Sequence, residues 1–185
     1  VYDDTVLDTL PQSPVVTGYD HVPTDEEIKL ATLRLKNKAP GDSGICPQTW
    51  KSLLDCDETF NMLKGIVVQF WPTEVVPEEW NLGRLTVLPK KGDLSWPKNY
   101  RGIMLLEVAY KIIAILIHTR LMPIQENIDH ESQCGFRPGR GCTDAVFTIM
   151  IALKKRREHG LESWVFFLDL VKAFDRVPRE LLWNI

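Results

Sequence analysis

Apolar positions along the chain recur at helical spacing in some stretches and at strand spacing in others. Ile28, Ala31 and Leu35 repeat every three to four residues. Thr24 opens that run with Glu27 three residues on, a capping box, and Pro40-Gly41 is the expected stop. Pro47 to Leu54 reads as a short helix. Phe60, Leu63, Ile66, Val67 and Phe70 line one face of the next, and Pro72 and Pro77 bound a turn. Leu85 to Leu88 reads as a strand because β-branched Thr86 and Val87 favour extension. Pro89 to Asn99 is a polar loop and Tyr100 to Leu105 a return strand, so a hairpin with a long basic tip is predicted. Leu105 to Leu121 is apolar on most sides and predicts a buried helix. Ile128 to Cys142 is a glycine-rich loop. Thr143 begins a helix that Gly160 ends, with Val146, Phe147, Met150, Ile151 and Leu153 as its buried side. Ser163 to Leu168 predicts a buried strand, and Pro178 suits the first turn of a closing helix.

Helices, a hairpin, more helices and one apolar strand make an α+β pattern. One strand cannot make a sheet, so the partners of Trp164–Asp169 are expected beyond Ile185, and the last segment reads as cut off in mid-pattern. Residues 1–23 are acidic and aperiodic, an extended arm or linker. Residues 24–80 form an N-terminal helical region, 81–161 a second region around the hairpin, and 162–185 the start of a third.

With 185 residues the chain has room for one domain or slightly more. Its longest apolar stretch, Ile112 to Ile117, is far short of the ~20 residues of a membrane span. No signal segment opens the chain, so a nuclear and cytoplasmic location without a membrane partner is expected. Cys46, Cys56, Cys134 and Cys142 form no CxxC pair and read as reduced thiols. The net charge is −3, but residues 1–28 hold seven acids and no lysine or arginine. The remainder is net basic. Its cations cluster at Lys90/Lys91/Lys98/Arg101, at Arg137/Arg140 and at Lys154 to Arg157; the last cluster reads as a solvated helix face.

Three segments carry candidate chemistry. Asp169, after an apolar strand, would be half-buried, where a cation offsets desolvation; Mg²⁺ favours such oxygen ligands. The alternative is a cap for the following helix. In QCGFRPGR, Gln133 to Arg140, two glycines and a proline fix the backbone while two arginines suit phosphate contacts. The alternative is a structural loop stapled by an ion pair between an arginine and Asp144. Lysine and arginine at the hairpin neck could reach a triphosphate; alone, they also suit a plain exposed hairpin.

Four blocks in order resemble one family. KNKAPGDSGICPQTW, Lys36 to Trp50, resembles KAPGPDGIP; LPKKGDLSWPKNYRGIMLL, Leu88 to Leu106, resembles PKKGD…NYRPISLL. QCGFRPGRGCTDA, Gln133 to Ala145, resembles QxGFRPGRSTTDA, and FLDLVKAFDRVPRELLW, Phe167 to Trp183, resembles FxDLxKAFDxVxR. Together they resemble the reverse transcriptase of non-long-terminal-repeat retrotransposons, with the last block most similar to the RTE-like clade. The resemblance implies a right-hand polymerase: mostly helical fingers with a basic β-hairpin, then the first strand and helix of an incomplete palm. It implies that Asp169 is a catalytic carboxylate binding Mg²⁺ and that the Leu170 carbonyl adds a metal contact. It makes Phe174 the steric gate under the sugar, with Ala173 beside it in the nucleotide site. Lys90 and Arg101 match the fingers cations that hold the incoming triphosphate, and Arg137 and Arg140 support the template or fingers closure. RNA template, DNA primer, dNTP and the remaining palm and thumb are the implied partners.

Gly102 stands where the family usually has proline, which would loosen a turn after Arg101, and Cys142 stands where serine or threonine is usual. The [FY]xDD turn that supplies the other metal-binding aspartates does not occur in these 185 residues. Two-metal transfer needs carboxylates from two strands, so the isolated chain is expected to have no polymerase activity. A non-catalytic nucleic-acid-binding remnant of a degenerate mobile element is the competing reading. A phosphotransferase with an aspartate nucleophile is a third, weakened by Val171 where a second acid would stand.

Overall fold

The computed structural model describes residues 15–171 and 173–183. The first fourteen residues of the acidic arm, Lys172 and the last two residues lie outside that description. The chain divides into two compact units, one from Gly18 to Ile128 and one built mainly from Asp129 onward. Among the described residues the fold is mixed: eight α-helices, one short 3₁₀ helix (Pro97–Asn99) and one two-stranded antiparallel sheet. No described helix is long and apolar enough to cross a membrane.

In the first unit, α1 (Asp25–Leu33) starts at the predicted capping box. The Thr24 hydroxyl accepts from the Glu27 N–H, and the Glu27 carboxylate accepts from the Thr24 N–H at 2.8 Å. The helix ends at Arg34, before the predicted Pro40-Gly41 stop, yet Leu35 beyond it is still buried. α2 (Pro47–Ser52) and α3 (Asp57–Thr73) follow. α3 runs through Pro72, which was expected to bound a turn. In the last turn a proline forfeits only the bond to Val68, and the helix stops two residues later at Glu74, whose φ is 52°. A short α4 (Glu78–Asn81) was not foreseen. α5 (Val108–Ile128) likewise continues past Leu121, through Pro123.

The core joins α1, α3 and α5. Ile28, Leu63, Val67 and Ile112 are each no more than 1% exposed, and such burial stabilises by about 1.5–3 kcal/mol per side chain. α5 is buried along Val108, Ala109, Ile112, Ile113 and Leu116, while Ile117 and Leu121 are exposed, so it is covered on one side only. Arg120 also lies on the buried side. Its guanidinium grips Glu27 through two bonds of 2.8 and 2.9 Å and donates to the carbonyls of Tyr19 and His21. It also stacks over Trp71 at 4.8 Å, and the Trp71 indole donates to the Asp20 carbonyl. Residues 19–21 of the arm are thereby tied to the core.

β1 (Arg84–Pro89) and β2 (Tyr100–Leu105) form the predicted hairpin, with Leu88 opposite Arg101 and Val87 opposite Gly102. β2 passes straight through Gly102, so no loosened turn follows Arg101.

In the second unit a loop leads into α6 (Cys142–Glu158). Gly160, at φ 64°, closes it: Leu161 N–H returns to the Arg156 carbonyl and Gly160 N–H to that of Arg157. The expected buried side of α6 is exposed at Val146, Phe147, Met150 and Ile151, with only Leu153 half-buried, because no described element packs over it. Residues 163–168 form no strand. A strand needs a partner ladder, and the two strands described pair with each other; Trp164 is 93% and Phe167 83% exposed. α7 (Ala173–Arg176) and α8 (Arg179–Trp183) end the description, α8 starting just after Pro178.

Candidate functional site

The basic hairpin belongs to the first unit. Alternation puts Lys90 and Arg101 on one face, since Leu88 opposes Arg101 and the Lys90 N–H donates to the Asn99 carbonyl at 2.6 Å. Arg101 is exposed, and its guanidinium has no hydrogen-bonding or ionic partner among the described residues. Among the described residues the Lys90 ammonium reaches only the Lys98 carbonyl, at 3.5 Å. The tip is well tied. Ser95 N–H donates to the Asp93 carboxylate, Asn99 to the Asp93 carbonyl and the Tyr100 hydroxyl to the Leu94 carbonyl. Gly92, at φ 118°, supplies the left-handed residue that the turn requires.

The glycine-arginine loop belongs to the second unit. Its arginines are engaged, as in the alternative of a stapled loop, though with acids other than Asp144. Arg137 is paired with Asp129 at 3.7 Å and donates to the His130 carbonyl. Arg140 grips Glu131 at 2.6 Å and the Glu131 carbonyl at 2.7 Å. The Arg140 bond holds the Glu131 carboxyl below its ordinary range, and Glu131 raises Arg140 in return. Asp144 instead accepts from the Gly141 N–H at 2.7 Å and so caps α6. This loop is therefore stapled by acids just N-terminal to it, Asp129 and Glu131, which spacing alone did not single out.

Asp169 lies on unpaired chain in the same unit and is exposed, not half-buried, because the strand meant to bury it does not form. Leu170 is 65% exposed, Ala173 half-buried at the start of α7, and Phe174 79% exposed. The Phe174 ring meets Phe136 of the loop edge-on, with centroids 6.1 Å apart and planes at 87°. The unit thus brings the loop and the α7 segment together at one aromatic contact.

The described residues contain no group of three His, Cys, Asp or Glu able to hold a metal. Asp169, with no hydrogen-bonding or ionic partner among them, suits one oxygen ligand of a divalent ion; the donor set falls short of a whole site.

One structural contact escaped the sequence reading. In the Lys36 to Trp50 block, Glu107 reaches back from the start of α5 to the Gly41–Gly44 loop. It accepts from the Ser43 N–H at 2.8 Å and the Ser43 hydroxyl at 2.6 Å. Burial acts to raise the Glu107 carboxyl, but Ser43, the Asp42 N–H and Lys111 overcome it and hold it below its ordinary value. Gly41 is obligatory here: a Cβ would sit 2.5 Å from a Glu107 carboxylate oxygen and 2.9 Å from the Glu107 Cα. The signal available was the KAPG glycine itself, without its partner.

Comparison with known proteins bears on these segments. Residues 88–185 match the family model described as reverse transcriptase (RNA-dependent DNA polymerase). The chain is 33% identical over 159 residues to the transposon TX1 uncharacterized 149 kDa protein of Xenopus laevis, covering 85% of this chain and 12% of that protein. It is 32% identical over 157 residues to a probable RNA-directed DNA polymerase from transposon X-element of Drosophila melanogaster, covering 80% and 16%. It is 30% identical over 154 residues to a retrovirus-related Pol polyprotein from the type-1 retrotransposable element R2 of Popillia japonica, covering 82% and 20%. The chain therefore spans no more than a fifth of the length of these relatives. The match covers the hairpin tip with β2, the glycine-arginine loop and the Asp169 segment in one stretch, and the chain belongs to the reverse transcriptase family.

Proposed function

We propose that this chain is a piece of a retrotransposon RNA-directed DNA polymerase, comprising its fingers and the first segment of its palm in a right-hand arrangement. The observation that carries the reading is the family match from residue 88 to 185, which runs unbroken from the cationic hairpin through the Asp169 segment. The parent would add dNTPs to a primer 3′-OH on an RNA template. Arg101 and Lys90, on one face of a stiffened hairpin, bind the triphosphate, and Arg101 is free to do so. Phe174, with Ala173 before it, lies against the sugar. Arg137 and Arg140 shape the loop that supports the template, which agrees with their being spent on Asp129 and Glu131. Asp169 supplies one carboxylate, and Leu170 its carbonyl, to a Mg²⁺ site completed by other parts of the polymerase. The finer likeness to RTE-like elements rests on the last block alone.

The test is Asp169→Asn in a full-length parent. Loss of primer extension with RNA binding retained is the expected result, and normal turnover overturns the assignment. The 185-residue chain by itself is expected to bind RNA in a salt-sensitive manner without extending a primer, because only one carboxylate of the site is present. Templated dNTP incorporation by the purified chain contradicts that expectation.

A further inference from the structure

Trp96, at the hairpin tip, has no role in the assignments above. The residue is 57% exposed on a mostly polar segment. A large ring left in water at a tightly bonded turn is displayed, not misplaced. The main chain around it is fixed by the Trp96 N–H to the Asp93 carbonyl and by the Asn99 N–H to the Trp96 carbonyl at 2.9 Å. The Lys98 ammonium stands over one face of the ring at 5.2 Å. No other aromatic or cationic group covers the ring among the described residues. The Asp93 carboxyl is held below its ordinary value chiefly by the Ser95 N–H and hydroxyl. Between Lys90 and Arg101 the hairpin carries Lys90, Lys91, Lys98 and Arg101 against the single acid Asp93.

An exposed aromatic ring beside a cation on a basic hairpin is the arrangement that binds single-stranded nucleic acid: bases stack on the ring and phosphates meet the lysines. We propose that Trp96 is a stacking platform for an unpaired base of single-stranded RNA, with Lys98 on an adjoining phosphate. The inference rests on the polymerase reading for its biological setting, and it assigns a positioning residue which that reading lacks.

The experiment is a fluorescence-anisotropy titration of the 185-residue chain with a labelled single-stranded RNA of about a dozen nucleotides, within the range one stacking groove covers, over a series of salt concentrations. Trp96→Ala is expected to weaken binding by roughly 5- to 100-fold, the equivalent of one lost stack, without changing the salt slope. Trp96→Phe is expected to keep most of the affinity, and Lys98→Gln to lower the slope by about 0.7. An oligomer without bases should bind wild type and Trp96→Ala alike. If the chain binds RNA but Trp96→Ala binds as tightly as wild type, the platform is wrong and the polymerase reading stands. If Trp96→Phe loses as much as Trp96→Ala, the ring does not act by stacking and the platform is likewise overturned. If wild type binds no RNA at low salt, the nucleic-acid reading of the hairpin fails together with the platform.

Discussion

Phe136 and Phe174 meet edge to face at 6.1 Å, joining the glycine-arginine loop to the first turn of α7. Phe136 takes a left-handed φ of 60°, a costly choice for a bulky residue, and its ring is 82% exposed apart from this contact. The loop thus aims an aromatic edge at the residue proposed to lie under the nucleotide sugar. In a parent polymerase, Phe174→Ala should relax discrimination between dNTP and rNTP by roughly ten-fold or more. Phe136→Ala should shift the same ratio in the same direction by less, because it only frees the Phe174 ring. Steady-state kcat/KM values for matched dNTP and rNTP pairs measure both. An unchanged ratio for Phe136→Ala would show that the contact is not part of the selection.

The Glu27–Arg120 pair makes the first unit sensitive to acid. The Arg120 hydrogen bond holds the Glu27 carboxyl down at about 2 from an ordinary 4.5, against some desolvation. A depressed carboxyl stabilises the fold above its unfolded value, and that contribution fades as pH falls from about 4.5 to about 2. Glu27→Gln should cost on the order of 2–3 kcal/mol at pH 7 and almost nothing near pH 2. Urea unfolding of both proteins at several pH values tests the convergence; parallel curves at all pH values would refute it.

What was legible in the sequence follows from how far each residue reaches. The Thr24–Glu27 capping box and the hairpin are local devices, and both stand where their own few residues put them. Arg120 could not be read. It interrupts an apolar helix, and its partners Glu27, Tyr19 and His21 lie roughly a hundred residues earlier in the chain. The strand expected at 163–168 failed for the complementary reason: its pattern is right, but a ladder needs a second strand and none is described beside it. Asp169 was singled out by its motif, and its environment was misjudged because the burial expected for it depended on that ladder.

The Gly41–Glu107 contact predicts an unusually severe small substitution. Gly41→Ala pushes a methyl group into the Glu107 carboxylate and its Cα, and the backbone atom cannot swing aside. A loss of about 1–3 kcal/mol is expected from overpacking, with release of the Ser43 loop. Glu107→Gln should cost about 1–2 kcal/mol by weakening the charge-assisted bonds to Ser43. Because Glu107 is shifted below its ordinary value, its stabilising share also fades as pH falls through the carboxylate range. Thermal melts of the two variants, with hydrogen exchange at the Ser43 amide, check this. Full protection of that amide in Gly41→Ala would contradict the packing argument.

The hairpin register explains why this chain can carry glycine at a position where its family usually has proline. The Lys90–Asn99 bond fixes the alternation, so Leu88/Arg101 and Thr86/Ile103 are the pairs that exchange hydrogen bonds. Val87/Gly102 falls between them, and the Gly102 N–H points away from β1. Proline at 102 therefore removes no ladder bond. The only obstacle to its Cβ is the Leu85 Cδ1 at 3.0 Å, the end of an exposed side chain that can turn away. Gly102→Pro should be neutral or stabilise by about 0.4–1 kcal/mol through lost freedom in the unfolded chain. Ile103→Pro, one residue on, deletes a ladder donor and should cost about 3 kcal/mol. Amide exchange along β1 and β2 distinguishes the two: protection survives in Gly102→Pro and collapses in Ile103→Pro. The opposite ranking would mean that the register is shifted by one residue, which would also put Arg101 and Lys90 on opposite faces of the hairpin.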